Sequence, residues 1–327
     1  MMNVTTNSVV FGLLAGAASA VLAGSVLTQT TLAVVLFLLS AFPIIAAGLS
    51  FGPVAAFIGA VTAGVLVAAI VSVPSALVVL LITILPAALA TTLVSLARPA
   101  DEIGGNAGDT VWYPLAAVVF YSAIVIAGGF VMLGAYSGYN MEFATEFARA
   151  MEQQFRTVTP DFAPSPEFVP SLANFVYRAV PLIQPAMWVF ALMASLYIAL
   201  SAVRPSGRFA RPRDDWPVAL RMPKAALPVF GLAMATSFFS GPIGLVALVV
   251  CGALGAGFSA AGFAVMHQRT RGKPVRGLLL TLAYLAAFAF LLALFLFLLL
   301  GLFDTTRAAP VTKGPGQTPK PPSNLLH

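Results

Sequence analysis

From Val9 to Phe303 the chain is a succession of apolar runs, and every aspartate and glutamate falls in a loop, tail or insert rather than deep inside a run. The hydrocarbon core of a bilayer is about 30 Å thick, so a helix rising about 1.5 Å per residue crosses it with about 20 apolar residues. Backbone amides find no water there, which makes helix the state for such runs. Hydrophobic residues make up 60% of the 327 positions and charged ones only 9%. A soluble domain carries about 25% charged residues, so too little polar surface is left here to coat a soluble globule. The sequence predicts an all-α, polytopic transmembrane helical bundle.

Charge gives that bundle a direction. Residues 204–224 carry Arg204, Arg208, Arg211, Arg213, Arg221 and Lys224 against only Asp214 and Asp215, and a second basic turn follows with Arg269, Arg271, Lys273 and Arg276. Together they hold ten of the seventeen Lys and Arg. Basic residues resist translocation and meet anionic lipid, so both turns are expected on the cytoplasmic side of a bacterial-type inner (plasma) membrane. The net charge of +6 is then juxtamembrane, pointing to membrane lipids rather than nucleic acid as the partner.

Four spans are expected within residues 1–97, at 9–27, 32–49, 51–72 and 75–97, the last bent by Pro86. The first lacks the basic leader of a signal peptide and is read as a retained helix. Residues 98–136 form a polar turn and a fifth span, with Asp109 or Thr110 as cap, Pro114 in the first turn, and Trp112 and Tyr113 at the lipid interface. Residues 137–171 are an extracytoplasmic insert. In it 140–156 reads as an amphipathic helix, with Phe143, Phe147, Met151 and Phe155 at a four-residue repeat, followed by a Pro-rich loop. It is either an interfacial helix or a lid over an outward cavity. The C-terminal membrane group, 172–303, holds a sixth span to residue 203, a hairpin of 224–240 and 241–266, and a ninth span at 277–303. Residues 304–327 are Pro/Gly-rich and expected to be disordered. Nine spans place that tail outside; eight, with one N-terminal segment re-entrant, place it inside.

Catalytic patterns are missing. Cys251 is a lone cysteine in an apolar run, and neither His267 nor His327 has a neighbour at metal-ligand spacing, so no metal or cofactor is expected. A phosphate loop needs Gly-Lys followed by Ser or Thr, and Gly272-Lys273 is followed by Pro274. Ser240 and His267 fall at opposite ends of one helix and cannot pair. The chain reads as a non-enzymatic protein.

The best polar constellation lies on the sixth helix. Asn174, Tyr177, Pro181, Gln184, Trp188, Ala191 and Ser195 step by three or four residues along one face, and Pro181 and Pro185 free backbone carbonyls nearby. Arg178, near the outer end, either attracts an anionic group or snorkels to headgroups. This face either lines a ligand or packs against neighbouring helices. Along the first helix Gly12, Gly16, Ala20 and Gly24 recur every fourth residue, a stripe that admits close helix packing in lipid, with a helix of this chain or of a membrane partner subunit.

The runs RPRDDWPVALRMPKAALPVFG, GFSAAGFAVMHQRTRGKPVRGLLLTLAYL and LFLLLGLFDTTR resemble the YybS-like family of predicted multi-pass membrane proteins. Gly262-Phe263-Ala264-Val265, His267, Arg271 and Gly272 stand at its basic turn, and Leu49-Ser50-Phe51-Gly52-Pro53 is similar as well. That family is distantly similar to the substrate-binding subunits of energy-coupling-factor transporters. The resemblance implies a solute-binding transporter subunit without its own ATPase, docking through small residues of its first helix onto a partner subunit. The alternative is a structural or assembly scaffold of the inner membrane.

Overall fold

The computed structural model describes residues 5–159 and 164–306. In chain order its elements are α1 (Thr6–Gly24), α2 (Thr31–Leu38), α3 (Ala41–Phe51), α4 (Pro53–Ile70), α5 (Val73–Val79), α6 (Leu85–Ser95), β1 (Ala97–Pro99), β2 (Thr110–Trp112), α7 (Leu115–Ser137), α8 (Met141–Val158), α9 (Phe168–Val203), α10 (Trp216–Ala219), α11 (Ala226–Thr236), α12 (Pro242–Arg269), α13 (Arg276–Ala289) and α14 (Leu291–Thr305). Among the described residues seven segments are long and apolar enough to cross a membrane: Thr6–Thr28, Thr31–Phe51, Pro53–Ile70, Val73–Ser95, Leu115–Ser137, Phe168–Ser206 and Pro242–Arg269. The protein is an all-α, multi-pass membrane bundle.

Two of the nine expected spans take a different form. Residues 224–240 contain only α11, whose 11 residues reach about 16 Å. The stretch before it stays non-helical. Pro223 has no amide to donate, Met222 is buried with its sulfur against Gly257, and Arg221 forms an ion pair with Asp304 at 2.9 Å. Residues 277–303 break at Phe290, whose φ of −133° and ψ of 119° are extended, and the two halves are bent by 116°. Counting that bent pair as one span gives eight. The fold-back lets α14 lie against α12, where a Cβ on Gly262 would sit 1.9 Å from the Phe297 carbonyl oxygen. Only glycine admits so close a backbone. Asp304, expected in the tail, ends up buried in α14. The remainder of the expected tail, 307–327, and residues 160–163 of the Pro-rich loop lie outside the described residues.

Side-chain contacts define two ends of the bundle. At one, Ser8 donates to the Phe51 carbonyl at 3.0 Å, and the Arg208 guanidinium lies 4.8 Å from the Phe51 ring centre. There too Arg211 binds the Val94 and Tyr113 carbonyls, and Asp215 pairs with Arg271. This basic end gathers the start of α1, the α3–α4 joint, the β1–β2 hairpin and both basic turns, which therefore share a side. The opposite, insert end gathers the α1–α2, α4–α5, α7–α8 and α11–α12 joints. Among the described residues, Arg98, the arginines of 204–213 and the basic residues of 269–276 belong to the basic end, and Arg149, Arg156 and Arg178 to the other. That asymmetry is what the positive-inside rule produces when the basic end is cytoplasmic.

The glycine stripe of α1 meets a helix of its own chain. A Cβ on Gly16 would fall 2.5 Å from the Gly59 carbonyl oxygen of α4, and one on Gly12 would fall 2.8 Å from that of Ala55. Ala20 is buried in the same seam, whereas Gly24 has open space around its Cβ position.

Candidate ligand cavity

The fourth span shows how the site is built. Pro86 cannot donate an amide hydrogen bond, and the chain accommodates it with a π-helical turn at Leu80–Ile84 immediately before α6. That turn places the Thr83 hydroxyl 2.9 Å from the indole nitrogen of Trp188 on α9, which donates to it. Phe37 of α2 and Phe130 of α7 meet the indole edge-on, with ring centres at 5.6 and 6.0 Å. Trp188 is thereby fixed by three other parts of the bundle, with a polar bond that makes its burial tolerable.

On the insert-end side of Trp188 lies a cavity of about 880 Å³. Its walls come from α5, α7, α9 and the first turns of α12, with Pro74, Val78, Val131, Val180, Leu245 and Val249 supplying much of the apolar surface. Among the described residues no charged side chain lines it. Tyr136, Ser137, Tyr139 and Asn140, at the joint between α7 and α8, stand at its rim.

Most of the polar groups here are already satisfied. Tyr139 donates to the Val176 carbonyl at 2.8 Å, and burial, reinforced by neighbouring Tyr177, pushes its phenol up to about 12, so it stays a neutral donor. Asn140 accepts the Phe143 amide at 2.8 Å as the cap of α8, and Ser137 donates to the Gly134 carbonyl. Trp188 is bonded to Thr83. Gln184, exposed in the cavity wall, and Tyr136 at the rim make no side-chain hydrogen bond among the described residues. The Gln184 amide offers two donor hydrogens and an acceptor oxygen to a molecule in that space.

The expected ligand face divides in the structure. Pro181, Gln184 and Trp188 come together at the cavity. Asn174 donates to the Pro170 carbonyl of its own helix at 3.0 Å, and Tyr177 stacks parallel to Tyr139 with ring centres 6.2 Å apart. Neither lines the cavity, nor does exposed Arg178. Ser195 is fully buried about 16 Å farther along α9, and its hydroxyl has no partner among the described residues. The insert helix α8 flanks the site without roofing it, since none of its residues is in the wall. It rests on α9 through buried Ala144 and Ala148 and leaves Phe143, Phe147 and Phe155 about half exposed, the disposition of an interfacial helix.

Sequence reasoning also missed the charges that become buried. Arg211 is 2% exposed and Asp214 6%; their two parallel bonds measure 2.8 and 2.9 Å, and the same guanidinium donates to Val94 and Tyr113 carbonyls at 3.1 and 2.8 Å. The spacing of three residues was visible, but the carbonyls it reaches flank the distant α6–α7 connection. Among the described residues no group of three His, Cys, Asp or Glu side chains could hold a metal ion. No family model, curated protein or solved structure matches this chain.

Proposed function

We propose that the protein is a non-enzymatic solute-binding subunit of a membrane transporter, working with ATPases carried on other chains in an inner (plasma) membrane. It captures its solute at the insert end, in the cavity beside Gln184 and Trp188. The observation that carries this reading is the Gln184 amide, free of hydrogen bonds among the described residues, in the wall of a mostly apolar cavity large enough for a drug-sized molecule. Because no charged group among the described residues faces that space, the solute is an uncharged, mostly apolar molecule with one carbonyl or N–H group for Gln184 and a flat surface for Trp188. The resemblance to the YybS-like family and, more distantly, to energy-coupling-factor substrate-binding subunits agrees with this role. A partner subunit recruited through α1 meets its outward Leu14 and Val21 face, because Gly12 and Gly16 are occupied by α4.

Native mass spectrometry of the gently purified full chain tests the proposal. A retained small molecule, lost in Gln184→Leu while the variant keeps its thermal midpoint, is the expected result. A ligand-free wild-type chain recovered without ATPases would favour the scaffold instead.

A further inference from the structure

We propose a second binding site at the basic end: a cleft that takes the phosphate of an anionic phospholipid headgroup. The cleft measures about 380 Å³ and lies between the last turns of α9 and the turn entering α10, with Tyr197, Arg213, Trp216, Pro217 and Arg271 around it. Asp214 and Asp215 also line it. Each is already matched by an arginine, Asp214 by the two bonds from Arg211 and Asp215 by the fork of Arg271. Arg213 has no such match. Its side chain is exposed and makes no hydrogen bond or ion pair among the described residues. With Arg211 counted against Asp214 and Arg271 against Asp215, one uncompensated positive charge remains in the cleft, on Arg213.

A guanidinium is a planar fork of N–H donors that fits two phosphate oxygens at once, and Arg271 retains donors beyond the two spent on Asp215. Those features specify a phosphate. The surroundings specify that it belongs to a lipid. Tyr197 and the next residue, Ile198, are each 44% exposed on the outer flank of the Phe168–Ser206 span, the side that faces acyl chains. Trp216 meets Tyr197 edge-on, with ring centres 5.1 Å apart. Amphipathic aromatics settle at headgroup depth, and basic pockets between helices on the cytoplasmic side hold anionic headgroups. The phosphate sits at Arg213 and Arg271 while an acyl chain descends along Tyr197 and Ile198. A freely soluble phosphate would gain nothing from that flank. A lipid held there bridges the end of α9, the start of α10 and the turn after α12.

The test uses the full chain in phosphatidylcholine nanodiscs, titrated with phosphatidylglycerol or, separately, with inorganic phosphate. Thermal midpoint and lipid retained in native mass spectrometry are the readouts. Phosphatidylglycerol should stay bound and raise the midpoint, and Arg213→Gln should cut retention about tenfold, equivalent to about 1.4 kcal/mol. Arg213→Lys should keep part of it, and Arg276→Gln, outside the cleft, should leave it unchanged. Equal retention by wild type and Arg213→Gln would overturn the site. An equal loss in Arg276→Gln would do the same, reducing the effect to general attraction. A midpoint rise with inorganic phosphate as large as that with phosphatidylglycerol would overturn the lipid assignment.

Discussion

The two ends of this bundle treat polar groups in opposite ways. At the basic end the buried guanidinium of Arg211 is held by a carboxylate and two backbone carbonyls, so the α9–α10 connection is tied to both feet of the β1–β2 hairpin through one side chain. At the insert end an exposed amide, Gln184, stands in a mostly apolar cavity wall with nothing bonded to it among the described residues. A saturated buried charge resists rearrangement, because moving it means breaking bonds that water cannot replace. The contrast sets a base tied by buried charge against an open end lined mostly by apolar side chains.

Removing the base should have the largest effect. Asp214→Ala strands a buried guanidinium and should cost about 3–5 kcal/mol, read as a fall in thermal midpoint in nanodiscs. An effect below 1 kcal/mol would show that the basic end is not the rigid part. Next, Gly16→Leu forces a side chain into the Gly59 backbone and should cost at least the upper end of the about 1–3 kcal/mol seen for overpacking. The α1–α4 seam would have to part. Unchanged bundle stability would mean that these helices are not so closely opposed. Trp188→Phe leaves the buried Thr83 hydroxyl without its partner and should cost about 1–3 kcal/mol while weakening ligand capture, a combined effect at the boundary between the two regions.

Gln184→Leu sharpens the comparison differently, since stability should stay within about 0.5 kcal/mol of wild type while ligand retention is lost. A large loss of stability would mean that Gln184 is a packing residue. The smallest effect belongs to the exposed Asp215–Arg271 pair. The bonds from Arg271 outweigh desolvation and hold the Asp215 carboxyl below its usual range. A depressed carboxylate stabilises the fold above its unfolded pKa of about 3.9 and loses that contribution as pH falls through the folded value. Asp215→Asn should therefore differ slightly from wild type near neutrality and not at all once the pH is below that folded value, which midpoints measured across pH will show.

The continuous spans could be read directly from apolar length, as could the α8 helix and its Asn140 start. The broken ones could not. Residues 224–240 look apolar enough to continue as helix, yet the stretch just before them is held extended by the ion pair of Arg221 with Asp304 and the seat of Met222 against Gly257, all long-range contacts. The bend at Phe290 carries neither proline nor glycine, and what accompanies it is the glycine-lined approach of α14 to α12. In the cavity, Gln184 and Trp188 were legible because helical spacing puts them on one face. The walls opposite come from α5, α7 and α12, and the bond between Thr83 and Trp188 joins residues 105 apart, beyond what any local pattern encodes.

The central claim is that the receptive mouth faces away from the cytoplasm and the charge-tied base faces toward it. Single-cysteine variants Ser137→Cys and Lys273→Cys, made in a Cys251→Ala background and exposed to a membrane-impermeant maleimide, test it in intact cells. Labelling at position 137 from outside, and at position 273 only after the membrane is opened, is the predicted result. Labelling at position 273 in sealed cells, with position 137 protected, would contradict the account.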